Sequence, residues 1–381
     1  MNLIPAIRLS KTATKLSAAI AATLLTMAAH SAPTIPSNFQ RVLVDGSATA
    51  FTTLAGQGAS FNVLYDGGLF HLWYRTDATV YTITEIRHAT SVDGINFATV
   101  GGNFSFASNP FPTGTAPVLY YDAVSKVGAT FKMIHWTSNG DAGTYPAYDY
   151  NNSVSNIGAS ASNTVMTHLG PLGGGTIGQT AGSFGIVNGN WYGQCGTTGQ
   201  EICRSPYTDG TPPTVAASIY PSVLNAGSIF TGAGFPTGYI NNHGDINVGT
   251  SGLDLAFTIR TDQSSGARAN KQVYYSNSAD NGATWTAITP LLTGTPTLSN
   301  AAFGAANFAH PELVSAPLGY KLYVSAQDNA GNFVIAVAGN VPPVVVPSTP
   351  VPTVSPIGLG LTGLLVFIGA LLGLRRKKQT A

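Results

Sequence analysis

Two carboxylates late in the chain have neighbours suited to acid/base chemistry. Asp245 lies shortly after His243, and Glu312 lies shortly after His310. Hydrolysis of a glycosidic bond usually needs two facing carboxyl groups, one protonated and one ionised. We therefore treat the two carboxylates as candidate catalytic groups, with one of the histidines orienting the substrate. The structural alternative is that Asp245 caps a turn, while Glu312 is solvated or paired at the start of a strand.

A second set of residues could bind a substrate without turning it over. Aromatic rings stack on sugar rings, and amide and imidazole groups hydrogen-bond to sugar hydroxyls. The alternative for the aromatic members is packing between structural repeats. The candidate substrate-binding residues are Asn62, Asn242, His243, His310, Tyr148 and Trp191.

Composition and motifs exclude several other functions. No nucleophile-elbow, P-loop, zinc-protease or EF-hand pattern occurs, so we expect no cofactor and no metal ion. The formal net charge of +1 gives no indication of nucleic-acid binding. Only 9% of the 381 residues are charged, and 44 are glycine. Such a composition favours short strands and tight turns over helices.

The elements that would position these residues recur as a loose repeat of about 55–65 residues. Each unit has an apolar strand, a turn and an aromatic-rich strand. Asp-Gly and Asn-Gly turns between such strands predict β-hairpins. Five units predict an all-β, five-bladed β-propeller, with a β-sandwich as the alternative. The strand pairs are predicted at residues 61–65 with 69–75, 116–121 with 130–137, 183–187 with 191–195, 245–248 with 253–260, and 311–315 with 319–326.

The last unit lacks one of the four strands that a blade needs. Its final convincing strand is at residues 333–337, whereas residues 39–44 stand alone before the first unit. If the early segment joins the last blade, the ring closes and its sheet edges are protected. The propeller domain is therefore predicted to span residues 39–340.

Two turns resemble the Asp-box of sialidase-type propellers. In this motif an Asp side chain accepts hydrogen bonds from the turn backbone, a glycine adopts positive φ, and an aromatic side chain packs under the hairpin. The resemblance implies a structural role on the outer side of the propeller, away from the pocket. The residues that carry it are Ser278, Asp280, Gly282 and Trp285 in one turn, and Asp93 and Gly94 in the other.

The chain as a whole resembles the five-bladed glycosidase superfamily that includes arabinanases, invertases and mannoside phosphorylases. The similarity lies in the strand–turn rhythm of residues 39–339 and in phrases such as residues 310–314. In that superfamily, carboxylates stand at the start of the innermost strands of the first three blades. Here the corresponding residues, 57–62, 113–117 and 180–183, contain no acid. Any hydrolysis would therefore depend on the later pair, Asp245 and Glu312.

The N-terminus has the features of a signal peptide at residues 1–31. A basic region precedes an apolar core at residues 16–29, and Ala29-His30-Ser31 offers small residues to signal peptidase. A retained membrane anchor is the alternative. Export to an oxidising compartment favours a disulfide between the two cysteines, Cys195 and Cys203.

The C-terminus predicts a proline-rich linker at residues 341–356, a transmembrane helix at 357–374 and a basic cytoplasmic tail at 375–381. This order, beginning with Val-Pro-Thr-Val-Ser-Pro, resembles the IPTL-type sorting signal, a relative of the PEP-type signals that exosortases read. The resemblance implies that an exosortase-like transpeptidase removes the tail. A permanent single-span anchor is the alternative.

These observations predict a protein exported through the inner membrane to the cell surface or beyond, anchored in the membrane until its tail is processed. The expected partner is a glycan or another envelope polymer, recognised without catalysis. One alternative is a divergent glycoside hydrolase that uses Asp245 and Glu312. Another is a structural component of the surface layer or biofilm.

Overall fold

The computed structural model describes part of the chain. The described residues are 32–48, 61–75, 86–106, 123–138, 150–171, 183–195, 201–209, 224–225, 239–260, 272–292, 296–298, 301–302, 309–327 and 333–339. Contacts divide the chain into two units, Met1–Val341 and Pro342–Ala381. The predicted signal peptide, linker, transmembrane helix and basic tail lie outside the described residues. Among the residues that are described, no helix is long and apolar enough to cross a membrane.

The first blade is built from the N-terminal strands and two consecutive hairpins. Its sheet has the order β3-β2-β7-β6-β5-β4, while β1 pairs elsewhere. The strands are β1 (Asn38–Arg41), β2 (Leu43–Val44), β3 (Ser47–Ala48), β4 (Phe61–Asp66), β5 (Leu69–Arg75), β6 (Ile86–Ser91) and β7 (Asn96–Val100).

The second and third blades follow in chain order. Their sheets have the orders β8-β12-β11-β10-β9 and β13-β14-β15-β16. The strands are β8 (Ser105–Phe106), β9 (Ala123–Val127), β10 (Thr130–Ser138), β11 (Tyr150–Gly158), β12 (Val165–Pro171), β13 (Ser183–Val187), β14 (Asn190–Cys195), β15 (Glu201–Pro206) and β16 (Leu224–Asn225).

The fourth and fifth blades complete the set. Their sheets have the orders β17-β18-β19-β20 and β22-β21-β1-β25-β24-β23. The strands are β17 (Tyr239–Gly249), β18 (Gly252–Arg260), β19 (Gln272–Ser278), β20 (Thr289–Pro290), β21 (Thr297–Leu298), β22 (Ala301–Ala302), β23 (Ala309–Ala316), β24 (Gly319–Gln327) and β25 (Phe333–Gly339).

The five sheets form a closed ring. The first strands of the five blades, β4, β9, β13, β17 and β23, contact one another in sequence, and β23 contacts β4. These five are the inner strands. The architecture is therefore a five-bladed β-propeller, as predicted, and the β-sandwich alternative is excluded.

The predicted closing segment fastens two blades. Strand β1 pairs antiparallel with β25 of the fifth blade, with Gln40 opposite Val337. Strand β2 follows directly and pairs in parallel with β7 of the first blade, with Leu43 opposite Asn96. One short stretch of chain thus joins the last blade to the first, which stabilises a ring that has no covalent closure.

The second blade corrects one predicted strand. We predicted residues 116–121 as the partner of Thr130–Ser138, but that partner is Ala123–Val127. A tight hairpin requires its first strand to end directly before the turn, and the turn is at Gly128, where φ is 60°. The apolar stretch at 116–121 is too far from this turn to form the hairpin. The residue before β9 is Asp122, which lies outside the described residues.

The apolar core is divided among the blade interfaces. Five clusters of buried side chains lie between neighbouring blades, for example Phe184 with Leu255, and Trp73 with Met133. Side chains alternate between the two faces of each strand, so every blade buries a face against each neighbour. Polar side chains on the inner strands must therefore find partners across these same interfaces.

Candidate functional site

Three polar side chains occupy equivalent places on three inner strands. Asn62 lies four residues before the end of β4, Asp245 four before the end of β17 and Glu312 four before the end of β23. The blades that carry them are neighbours in the ring. The propeller therefore brings the two predicted carboxylates and Asn62 to one level of the central region.

Asp245 joins the fourth blade to the fifth. Its Oδ2 accepts a 2.8 Å hydrogen bond from the backbone N–H of Leu313. The same oxygen accepts a 2.7 Å bond from Nδ2 of Asn247, and Asn247 Nδ2 also donates to the Leu313 carbonyl at 3.2 Å. The side chain of Asp245 is only 3% exposed. This carboxyl is therefore a hydrogen-bond acceptor between two inner strands.

Glu312 makes the matching contact between the fifth blade and the first. Asn62 Nδ2 donates to Glu312 Oε2 at 2.6 Å, and the backbone N–H of Val63 also interacts with this carboxyl. Glu312 is 4% exposed. The two carboxylates thus repeat one arrangement: each accepts from the backbone of the next inner strand.

Burial raises the pKa of both carboxyl groups well above their ordinary values. The negative charge of Asp245 raises the pKa of Glu312 further, while the hydrogen bonds from Leu313 and Asn247 oppose the rise at Asp245. Because each negative charge disfavours the other, the pair favours a state in which at least one carboxyl is protonated. Such a pair is chemically suited to acid/base work, and both groups are buried.

A neutral side chain makes the same kind of contact between the second and third blades. Ser125 Oγ accepts a 2.8 Å hydrogen bond from the backbone N–H of Ile186. Three interfaces therefore have a side chain on one inner strand that accepts from the backbone of the next. Asp245 thus bonds across to the fifth blade rather than capping a turn, and Glu312 is buried and paired with Asn62 rather than solvated. The catalytic role of the two carboxylates stays a prediction.

His310 lies two residues before Glu312 at an irregularity of β23. Its φ is 51°, in the left-handed region that residues other than glycine seldom adopt. The register of β23 against β24 shifts between Ala309 and Glu312, and His310 is 6% exposed. Its ring lies 6.4 Å from that of Phe61 across the interface. The strained residue directs β23 into the contact with the first blade.

The remaining predicted binding residues divide into two groups. Tyr148 and the side chains of Asn242 and His243 lie outside the described residues. Trp191 is 1% exposed and packs with Ile134 and Ile186 in the core between the second and third blades. A ring buried on both faces cannot stack on a sugar, so the predicted binding role of Trp191 needs correction. Packing between blades, the alternative stated above, is its role.

A cavity of about 260 Å³ lies where the inner strands turn back into their second strands. All five blades contribute to its wall, and neither Asp245 nor Glu312 does. Asn247 belongs both to the wall and to the Asp245 contact. We call this space the turn-end cavity. One lining residue from each blade is Tyr65, Lys126, Asn188, Asn247 and Ser315.

Sequence reasoning missed the residues of the turn-end cavity. They follow the apolar part of each inner strand, and the hairpin signals that located the turns also located this end of the ring. Asn247 lies two residues after Asp245, which places both on one face of β17. That alternation is the local signal for Asn247, whereas nothing in the sequence shows that residues from all five blades meet at this end of the ring.

The Asp-box resemblance is matched by geometry in both turns. Asp280 Oδ1 accepts from the Thr284 N–H at 2.7 Å, and Ser278 Oγ accepts from the Gly282 N–H. In the other turn, Asp93 Oδ1 accepts from the Ile95 and Asn96 N–H groups, both at 2.8 Å.

Each box also contacts the preceding blade. Tyr323 donates its hydroxyl to the Gly94 carbonyl at 2.9 Å, and Arg204 Nη1 donates to the Asn281 carbonyl at 3.1 Å. Asn188, in the wall of the turn-end cavity, donates to Asn281 Oδ1. The boxes therefore join neighbouring blades, and the box of the fourth blade contacts a residue in the wall of the turn-end cavity.

The two cysteines lie on neighbouring strands. In the register of β14 and β15, Gly193 is opposite Cys203 and Cys195 is opposite Glu201. The backbone thus places Cys195 and Cys203 diagonally, on one face of the sheet. Their side chains lie outside the described residues, so the disulfide stays a prediction. Within the described ranges, no group of three or more His, Cys, Asp or Glu side chains could hold a metal ion.

Comparisons with known proteins add only distant likenesses. No protein-family model matches the sequence, and a search of curated proteins finds no match. Among solved structures, a glycosyl hydrolase from Bacteroides ovatus is 14% identical, with a TM-score of 0.45 over 77% of this chain and 92% of that one. An exo-1,5-α-L-arabinanase from a bovine ruminal metagenomic library is 10% identical, with a TM-score of 0.48 over 75% and 94%. An exo-β-1,3-galactanase from Clostridium thermocellum is 12% identical, with a TM-score of 0.48 over 78% and 60%. At such identities and TM-scores, no residue role or activity is transferred to this chain.

Proposed function

We propose that this protein is an exported propeller that recognises a glycan or another envelope polymer at the cell surface without hydrolysing it. The export signals and the sorting-signal resemblance in the sequence support its location. The observation that carries the non-catalytic part is the use of Asp245 and Glu312 as buried acceptors between blades.

Catalysis by this pair would require a substrate to reach both carboxyl groups. Each is less than 5% exposed, and each already accepts hydrogen bonds from a neighbouring inner strand. Removing either acceptor would leave buried backbone N–H groups without partners, which costs free energy. Both carboxyl groups therefore stabilise contacts between neighbouring blades.

Recognition has a place in the same fold. The turn-end cavity combines the aromatic ring of Tyr65, apolar side chains and several polar groups. That mixture is typical of sites that stack on a sugar ring and hydrogen-bond to its hydroxyls. Binding without turnover is therefore the activity that the described residues support best.

The test is a glycan array and a hydrolysis screen on the purified full-length chain, run beside the double variant Asp245→Asn/Glu312→Gln. Both replacements keep the shape of the side chain and a hydrogen-bond acceptor, so the ring is expected to fold. We expect wild type and variant to bind the same glycans, with no release of reducing sugar by either protein.

Two results would contradict this proposal. Turnover by the wild type that the double variant lacks would establish a glycoside hydrolase acting through Asp245 and Glu312. Silence of the folded wild type in both assays would favour a structural role in the surface layer or biofilm.

A further inference from the structure

The turn-end cavity lies at one end of the ring. Residues near the ends of the inner strands of all five blades line it. At about 260 Å³, it falls below the roughly 300–1,000 Å³ of pockets that hold drug-sized ligands. A space of this size suits one sugar ring, such as the terminal residue of a glycan, better than several consecutive residues.

The wall of the cavity has balanced charge. Lys126 Nζ lies 2.6 Å from Asp66 Oδ1, joining the second blade to the first. These are the one basic and the one acidic side chain among the described lining residues. Because each neutralises the other, an anionic ligand such as a uronic acid or a phosphate meets no unpaired positive charge. The wall therefore favours an uncharged ligand.

Several polar groups of the wall remain available to a ligand. Within the described residues, the hydroxyl groups of Tyr65 and Ser315 make no hydrogen bond. Ser125 Oγ accepts from Ile186 N–H, which leaves its proton to be donated. A hydroxyl group both donates and accepts hydrogen bonds, so these side chains complement the hydroxyls of a sugar.

Asn247 adds a fixed acceptor. Its Nδ2 donates to Asp245 Oδ2 and to the Leu313 carbonyl, which holds the amide in one orientation. Its Oδ1 accepts no hydrogen bond from the described residues. A polar atom oriented before the ligand arrives loses less entropy on binding than a mobile one. The hydrogen bonds between the fourth and fifth blades thus fix the orientation of this acceptor in the cavity wall.

We propose that the turn-end cavity binds the terminal residue of a neutral glycan. This inference rests on the proposed function and names the site and the ligand class for it. It places the ligand at the turn end of the ring, in a cavity whose wall includes neither Asp245 nor Glu312.

The experiment compares two cavity variants with two matched controls in the full-length chain. Ser315→Phe fills the cavity, and Val165→Phe adds the same ring at a residue of the second blade that is 54% exposed. Tyr65→Phe removes one hydroxyl from the wall, and Tyr74→Phe removes one from the same blade, where it contacts Thr99. Melting temperatures and near-UV circular dichroism establish that each variant is folded.

Affinity for neutral and acidic glycans is measured on an array and by saturation-transfer NMR with neutral monosaccharides. Because the full-length chain includes the predicted transmembrane helix, it is handled in detergent. The detergent must be zwitterionic, since a maltoside or glucoside headgroup would compete for the cavity. We expect binding of glycans with a neutral terminal sugar, reduced at least about tenfold by Ser315→Phe and about threefold by Tyr65→Phe. Both controls should bind as the wild type does.

The outcomes separate this inference from the proposed function. Wild-type binding that the two cavity variants leave unchanged would overturn the cavity site, although glycan recognition would stand. A preference for acidic terminal sugars would overturn the ligand class. If the array is silent but a monosaccharide signal is lost in Ser315→Phe, the cavity site stands and polymer recognition fails. Silence in both measurements overturns both.

Discussion

Two buried pairs of titratable side chains hold the propeller in different ways. Asp245 and Glu312 belong to the fourth and fifth blades, and each accepts from the next inner strand. His71 and His88 belong to adjacent strands of the first blade, where His71 Nδ1 lies 3.1 Å from His88 Nε2 and the rings stack at 5.3 Å. The carboxyl pair joins blades, whereas the histidine pair packs within one sheet.

Burial disfavours charge in both pairs, with opposite consequences for pH. It raises the pKa of Asp245 and Glu312, so the folded protein favours their protonated forms. It lowers the pKa of His71 and brings that of His88 to about 3, so the folded protein favours neutral imidazoles. The carboxyl pair therefore contributes most to the stability of the folded protein at low pH. The histidine pair contributes most above pH 6.5.

The largest effect is expected when a contact between blades loses its acceptor. Asp245→Ala leaves the buried Leu313 N–H without its acceptor and removes one of the two acceptors of the Asn247 amide. We expect the free energy of unfolding to fall by about 3 kcal/mol, measured by urea denaturation. Asp245→Asn keeps an acceptor and should cost about 1 kcal/mol.

The matched control is Asp66→Ala. Asp66 also lies on an inner strand, at its end, but it is 30% exposed and forms a surface ion pair with Lys126. Such pairs contribute about 0–1 kcal/mol. If Asp245→Ala cost no more than Asp66→Ala, the carboxyl pair would not be what joins the blades.

A smaller effect is expected at the histidine pair, visible as a dependence on pH. As pH falls from 6.5 toward 3, His88 becomes protonated in the unfolded chain but stays neutral in the folded protein. The free energy of unfolding therefore falls. His88→Phe keeps a ring in the stack with Trp73 and removes the titration. We expect the stability difference between pH 7 and pH 5 to shrink by about 1–2 kcal/mol, measured by chemical denaturation at both pH values.

Trp73→Phe serves as the comparison for that result. It disturbs the same cluster without removing a titratable group, so it should lower stability equally at pH 7 and pH 5. An unchanged pH dependence in His88→Phe would mean that His88 titrates normally in the folded protein.

The hairpins were predictable because their signals are local. Asp66-Gly67-Gly68 and Asn188-Gly189 predict tight turns, and Gly67, Gly68, Asn188 and Gly189 all have positive φ. The strand pairing with Thr130–Ser138 was misplaced because the apolar run at 116–121 outweighed the weaker turn at Gly128. Ring closure by residues 39–44 was predictable only because the last repeat lacked one of the four strands that a blade needs.

The sequence indicated which carboxylates could lie together, but not what they do in the folded protein. The sequence indicated that Asp245 and Glu312 could converge, but not that Asn62 would pair with Glu312. Their use as acceptors depends on which backbone N–H lies across the interface, as Leu313 does for Asp245, and no local pattern encodes that. Trp191 illustrates the same limit, because an aromatic side chain in a strand gives no sign of whether a neighbouring blade will cover it.

The last prediction concerns Glu312, whose effect on stability should depend on pH with the opposite sign to that of His88. As pH rises above 4.5, the unfolded chain releases the proton of Glu312 while the folded protein retains it, so stability is lost at high pH. Glu312→Gln cannot ionise, and its amide can still meet Asn62 and Val63. We expect the variant to lose less stability than wild type between pH 5 and pH 8, measured by denaturation at several pH values. The His88→Phe variant should show no such gain above pH 7, because His88 is neutral there in both states. A Glu312→Gln profile parallel to that of wild type would mean that Glu312 is ionised in the folded ring, which would make it a charged rather than a neutral link between the fifth blade and the first.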